Sequence, residues 1–202
     1  MINLTIDGKK LQVIEGATIL EAARMFGIDI PTLCYHPTLS AHGSCRLCSV
    51  EIVQRGRSRI VVSCLYPAEE GLEVKTQSPR VQRLRRGLME LLIAQCPSSQ
   101  RIQELARQLG VAKPRFDADD RECILCGLCV RVCQETSEKK LLNFVGRGFT
   151  KEVAAPFFET PQECIACGGC AYVCPTGTIR MVDGKPEFLW QRTKKKQSQG
   201  EA

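Results

Sequence analysis

The sequence predicts an α+β protein built from consecutive parts. Three observations carry that expectation: strand-period alternation around an Asp-Gly turn near the N-terminus, a helix-period stretch in the middle, and a duplicated cysteine-rich unit towards the C-terminus.

Residues 1–78 read as one small α+β unit. Ile2–Ile6 and Lys10–Ile14 alternate at strand period, and Asp7-Gly8 between them is a hairpin signal. Thr18 is placed to cap a helix through Glu21; Ile19, Ala22, Ala23 and Phe26 give that helix an apolar face, and Gly27 ends it. Further β-type runs follow at Leu47–Val53, Ile60–Cys64 and Leu72–Val74. A hairpin, a helix, a loop and more strands describe a small sheet packed on one helix.

Residues 79–116 read as a two-helix connector. Val81, Leu84, Leu88, Leu91 and Leu92 recur at helical spacing, and Arg80, Arg83, Arg85 and Arg86 fill the other face. Cys96-Pro97 stops that helix. Ser98 or Ser99 caps a second one carrying Ile102, Leu105, Ala106 and Leu109, with Gly110 closing it.

Residues 117–186 hold an internal repeat. The stretch Glu122–Cys133 matches Glu163–Cys174, so two copies of one unit form a pseudo-twofold module. The remainder, residues 187–202, is a polar tail carrying Lys194-Lys195-Lys196.

Composition limits what such a chain can be. Hydrophobic residues make up 44% of 202, but aromatics only 5%, beside 16 glycines and 10 prolines. Cores of that kind are small and need other staples. Thirteen cysteines can supply them, as disulfides or as ligands. The N-terminus lacks a basic region followed by an apolar one, and no apolar run approaches the ~18 residues of a membrane span. The expectation is therefore a cytoplasmic protein whose thiols stay reduced and bind metal.

The formal charge of +6 invites a nucleic-acid reading. That count treats the cysteines as neutral. A cluster held by four thiolates carries roughly −2, so three would add about −6 and cancel the excess.

Both copies of the repeat read C-x2-C-x2-C-x3-C. Three thiolates so close in sequence wrap one [4Fe-4S] cubane, and Gly127, Gly168 and Gly169 permit the positive φ angles that the wrap needs. In two-cluster ferredoxins the fourth cysteine ligates the other cluster. One cubane is then assigned to Cys123, Cys126, Cys129 and Cys174, and the other to Cys164, Cys167, Cys170 and Cys133. Pro175 completes the usual ending of the second copy, whereas Gln134 replaces it in the first.

The N-terminal set, Cys34, Cys45, Cys48 and Cys64, is spaced C-x10-C-x2-C-x15-C. Only its first gap is longer than in the plant-type [2Fe-2S] pattern. Four such thiolates suit a flat rhomb near a small sheet. The expected cofactors are thus one [2Fe-2S] and two [4Fe-4S] clusters on twelve cysteines. Zinc sites built from CxxC pairs are the competing reading for each set.

At this point the chain resembles a known family. Pro31–Pro37 and Gly43–Cys48 are similar to the β-grasp [2Fe-2S] domain of the large iron–sulfur subunit of respiratory complex I. With Phe144–Phe149 and the doubled ferredoxin motif, residues 1 to about 185 resemble the diaphorase-type iron–sulfur subunit of NAD-linked hydrogenases and formate dehydrogenases, and the N-terminal part of trimeric electron-bifurcating hydrogenases. The resemblance implies a β-grasp domain, a connector and a bacterial-type two-cluster ferredoxin domain. It also implies an electron-transfer subunit between a flavin-bearing, NAD(P)H-oxidising subunit and a second redox partner: a hydrogenase, a formate dehydrogenase or ferredoxin.

One departure stands out. Relatives bind a further [4Fe-4S] cluster in the connector through H-x3-C-x2-C-x5-C. Here Gln95–Gln100 occupies that place, and the only histidines are His36 and His42. That cluster is expected to be absent, which leaves Cys96 as a buried structural thiol.

His36 and His42 flank the first cysteine set and suggest a histidine in the cluster loop, a subunit contact or a Rieske-type site. Arg46, Arg121, Arg131 and Arg147 lie near cluster cysteines and can raise potentials or meet an acidic partner. Gly146-Arg147-Gly148 lacks the strand–loop–helix setting of a phosphate loop. No nucleotide, flavin or substrate site is visible, and no catalytic residue is assigned. Alternatives to the subunit reading are a free-standing multi-cluster carrier, a fumarate-reductase-type iron–sulfur subunit and a zinc-stabilised nucleic-acid module.

Overall fold

The computed structural model describes residues 1–117, 121–159 and 161–188. Of the expected tail, Glu187 and Phe188 end the last strand, and the rest, with its three lysines, lies outside the described residues. The chain divides into two compact units: Met1–Tyr35, Ala41–Leu91 and Leu105–Phe116 form the first, and His36–Ser40, Leu92–Glu104 and Asp117 onwards form the second.

The first unit is a five-stranded mixed sheet with one helix against a face, the β-grasp arrangement. The strands β1 (Ile2–Ile6), β2 (Lys9–Val13), β3 (Ser49–Gln54), β4 (Arg57–Val62) and β5 (Leu72–Lys75) lie in the order β2-β1-β5-β3-β4. β1 runs parallel to β5, and the other neighbours are antiparallel. Asp7 and Gly8 close the first hairpin with φ of +48° and +82°. Helix α1 (Ile19–Met25) begins in a complete capping box. The Glu21 N–H donates to Thr18 Oγ1 at 3.2 Å, while the Thr18 N–H donates to Glu21 Oε2 at 2.8 Å. Ile19, Leu20, Ala22 and Ala23 are buried with Leu4, Ile6, Val13, Val50, Ile52, Leu72 and Val74 in one core. Burying each larger side chain of that core contributes about 1.5–3 kcal/mol before entropy is counted.

The second and fifth strands differ from the sequence reading by no more than one residue at either end, and two strands shift by two or more for a physical reason. The third strand begins at Ser49 and not Leu47, because Leu47 and Cys48 finish the cysteine loop. The fourth spans Arg57–Val62 and not Ile60–Cys64, because it pairs residue for residue with β3 around the turn at Arg55-Gly56.

Helix α2 (Pro79–Gln95) starts at Ser78-Pro79, where Ser78 Oγ accepts from the Val81 N–H at 3.3 Å. Its buried face is not the expected leucine stripe. Val81, Arg85, Met89, Leu92 and Ile93 are buried, whereas Leu84 and Leu91 are 38% and 52% exposed. The helix is thus rotated so that Arg85 points inward at 1% exposure. Helix α3 (Gln100–Gln108) follows. Ser99 precedes it, but its hydroxyl is buried without a hydrogen-bond partner among the described residues, so it provides no side-chain cap. Gly110, at φ +70°, closes the helix as expected.

The second unit carries the repeat. Helix α4 (Leu128–Glu135) and the short α5 (Gly169–Tyr172) each follow one cysteine loop. Two antiparallel pairs complete the unit: β6 (Asn143–Val145) with β7 (Glu152–Ala154), and β8 (Ile179–Val182) with β9 (Lys185–Phe188). Gly127 and Gly168 take φ +74° at equivalent positions, as the wrap requires. Gly169 does not, and starts α5 instead. It is needed small for another reason, since a Cβ there would lie 3.2 Å from Val132 Cγ2. Further left-handed positions fall on Leu125 and Ala166, equivalent in the two loops, at φ +53° and +51°, and on Glu122 at φ +56°. The geometry of the loop overrides the local preference of those side chains.

Candidate metal centres

In the first unit the cysteine loop and the end of β4 bring four thiols together. Cys34, Cys45, Cys48 and Cys64 are all buried. The Cys45 N–H donates to Cys34 Sγ at 3.4 Å. A hydrogen bond from Cys64 lowers the Cys48 thiol to about 6, and that bond together with burial raises Cys64. Cys45 is raised by its hydrogen bond to Cys34 and by burial. Placing four negative charges in this dry space without a metal would be strongly opposed.

The backbone on either side of Cys48 is held firmly. Ser63 Oγ donates to the Cys48 carbonyl at 2.7 Å. The Arg85 guanidinium reaches the two flanking carbonyls, with Nε 2.9 Å from Leu47 O and Nη2 2.8 Å from Ser49 O. Burial lowers the pKa of that guanidinium, while the charge of Cys48, then those of Asp29 and Asp7, oppose the shift. The sequence reading put Arg85 on a solvated face, because arginine in an amphipathic pattern normally belongs there.

In the second unit the cysteines line two pockets. One is bordered by Cys123, Cys126, Cys129 and Cys174. The other is bordered by Cys133, Cys164, Cys167 and Cys170. Burial pushes Cys123 and Cys170 up to about 11 each. It also raises Cys129, with further contributions from Cys126, Cys123 and Cys174. Among the described residues, no three His, Cys, Asp or Glu side chains are grouped as for a single metal ion. The thiols stand around a space, and soft sulfur donors set around a space suit a polynuclear iron–sulfur group.

Several polar anchors of these loops have no motif in the sequence. Gln95 Nε2 donates to the Cys123 carbonyl at 2.8 Å, and the Arg121 N–H donates to Gln95 O at 3.0 Å. Thr178 Oγ1 donates to the Glu122 carbonyl, and Ser137 Oγ to the Cys133 carbonyl. Each ties down a backbone carbonyl in or beside a cysteine loop, and Cys133 O also accepts from the Lys140 N–H at 3.4 Å.

The other candidates have ordinary partners. His36 Nδ1 lies 2.8 Å from Thr38 Oγ1, and its ring meets Tyr172 edge-on at 6.5 Å. His42 is exposed. Arg121 stacks on Phe149 at 3.7 Å. Arg131 is buried and donates to the Ser40 carbonyl. Arg46 takes φ +60° within the loop, and Arg147 is exposed. Cys96 is fully buried at the end of α2, where its N–H donates to Leu92 O at 2.9 Å.

Comparisons with known proteins name the domain types and relatives of the chain. The 2Fe-2S iron-sulfur cluster binding domain matches residues 1–79, and the 4Fe-4S dicluster domain matches residues 117–181. The NADPH-Fe(3+) oxidoreductase subunit alpha of Geobacter sulfurreducens is 36% identical over 173 residues, which cover 73% of this chain and 20% of that protein. The NADP-reducing hydrogenase subunit HndD of Solidesulfovibrio fructosivorans is 36% identical over 189 residues, 79% of this chain and 32% of the other. The NADH-ubiquinone oxidoreductase 75 kDa subunit of Reclinomonas americana is 32% identical over 179 residues, 76% of this chain and 26% of the other. The chain thus spans between a fifth and a third of the length of these curated relatives. A chain in the crystal structure of an NAD+-reducing [NiFe]-hydrogenase in the H2-reduced state superposes with a TM-score of 0.76 at 34% identity. That match covers 87% of this chain and 85% of the other. The protein belongs to the family of iron–sulfur subunits of NAD-linked hydrogenases, to which the N-terminal region of the large iron–sulfur subunit of complex I is related.

Proposed function

We propose that this chain is the electron-conducting subunit of an NAD(P)-linked redox complex, with one [2Fe-2S] cluster on Cys34, Cys45, Cys48 and Cys64 and two [4Fe-4S] clusters on the crossed sets of the second unit. The observation that carries this reading is the sorting of eight cysteines into two pockets of four, each taking three from one motif and one from the other. When bound, such clusters exchange single electrons. The chain's own residues hold the thiolates, exclude water from the first set and tie the ligand backbone through Ser63, Arg85, Gln95, Ser137 and Thr178.

Its partners in this reading are a flavin-bearing NAD(P)H-oxidising subunit and a second redox subunit of hydrogenase or formate dehydrogenase type, or a ferredoxin. The names of these relatives, all NAD(P)-linked, support the first. The second is supported by the surface of the last motif, where Cys167 is exposed and Ile165 and Tyr172 are 58% and 83% exposed. Apolar surface beside an electron carrier suits docking. No helix among the described residues is long and apolar enough to cross a membrane, and we place the complex in the cytoplasm.

The test is anaerobic purification of the native assembly, with metal analysis and identification of its subunits by mass spectrometry. About ten irons per chain with equal sulfide, and co-purifying flavin and redox subunits, are expected. Zinc in place of iron, or a stable isolated monomer, would refute the reading.

A further inference from the structure

Arg85 is among the largest side chains buried completely in the protein. Its charge is permanent, because a guanidinium does not lose its proton in a folded protein. Among the described residues it makes no carboxylate ion pair. A buried charge without a counter-charge is strongly disfavoured, so something anionic must offset it. The two carbonyls that it grips supply dipoles, not charge. Both belong to the immediate neighbours of Cys48, and Cys48 heads the charges acting on the guanidinium, before Asp29 and Asp7.

We propose that Arg85 is the buried counter-charge of the N-terminal cluster, a positioning residue that clamps the Cys48 backbone and raises the cluster's reduction potential. This rests on the reading of Cys34, Cys45, Cys48 and Cys64 as [2Fe-2S] ligands. One-electron reduction, by the flavin partner or by dithionite in the cuvette, takes the ligated group from roughly −2 to −3 with no proton required. A fixed cation nearby stabilises the reduced form more than the oxidised form. The bidentate fork adds a mechanical role. With Leu47 O and Ser49 O held by Arg85, and Cys48 O held by Ser63, three consecutive carbonyls are pinned around one ligand. Reorganisation on electron transfer is thereby limited.

The experiment compares Arg85→Gln, Arg85→Met and Arg85→Lys in the full chain, loaded anaerobically. Iron content, circular dichroism of the cluster and an EPR-monitored titration with dithionite and mediators are recorded. At the wild-type midpoint potential, the Gln and Met variants are expected to show a ratio of reduced to oxidised [2Fe-2S] about tenfold lower, equivalent to about 59 mV for a one-electron couple. The Lys variant is expected to keep most of the wild-type ratio while melting earlier. Retention of the cluster by Lys but not by Gln or Met would equally support the charge role. Wild-type midpoints in Gln and Met, or loss of the cluster from all three variants, would overturn it and leave Arg85 a fold-stabilising clamp. If the wild type itself holds no [2Fe-2S] signal, the cluster assignment fails, and the role of Arg85 as its counter-charge falls with it.

Discussion

Cys133 stands in the same pocket as Cys164, although the three cysteines that precede Cys133 in its own motif line the other pocket. Helix α4 produces this separation, because Cys129 lies in its first turn and Cys133 one turn further along. If the ligand sets cross in this way, Cys174→Ala should damage the same cluster as Cys123→Ala. Combining those two is expected to remove no more than about four irons. Combining Cys174→Ala with Cys164→Ala should damage both cubanes. Iron analysis with EPR of the reduced proteins separates the cases, and a sequential assignment would give the reverse pattern.

Cys96 lies in the connector, where Gln95 precedes it and Pro97-Ser98-Ser99 follows, so no second cysteine or histidine stands beside it in sequence. Cys96→Ala is expected to keep the full iron content and to lose about 1 kcal/mol of stability from the vacated space. A loss near four irons in that variant would show that the thiol serves a cluster after all.

The α1 capping box offers a test confined to the first unit. Thr18→Ala removes the acceptor for the Glu21 N–H and should cost about 1 kcal/mol in urea-induced unfolding. The iron content should be unchanged. A neutral result would mean that the core contacts of Ile19 and Leu20 hold the helix end without the cap.

Two neighbouring glycines separate backbone strain from steric clash. Gly146 has φ +68°, and a Cβ there would meet Thr150 O at 2.6 Å. Gly148 has φ +53° with nothing within 4 Å of that position. Gly148→Ala is expected to cost about 1 kcal/mol, the ordinary left-handed penalty. Gly146→Ala should cost clearly more, measured as the difference in melting temperature between the two variants. Equal losses would show that the loop relaxes around the added methyl.

What the sequence determined by itself is everything carried by short-range spacing. The Asp7-Gly8 turn, the Thr18–Glu21 box, the left-handed Gly127 and Gly168, and the two C-x2-C-x2-C-x3-C motifs involve residues a few positions apart. Covalent geometry restricts such spacings to few solutions, so the patterns were legible without a partner. The tertiary structure decided what long-range packing controls. Leu84 and Leu91 completed a plausible helical stripe, but the helix turned Arg85 inward because buried carbonyls at Leu47 and Ser49 needed donors. Gly169 looked like a turn residue, and proved to be small because Val132 packs against it. Gln95 and Thr178 entered no motif at all, since a single hydrogen bond to a distant carbonyl leaves no periodic trace. Thus the ligand types follow from local sequence. Which carbonyls are pinned, and which permanent charge is buried beside Cys48, depends on segments that meet only when the chain folds.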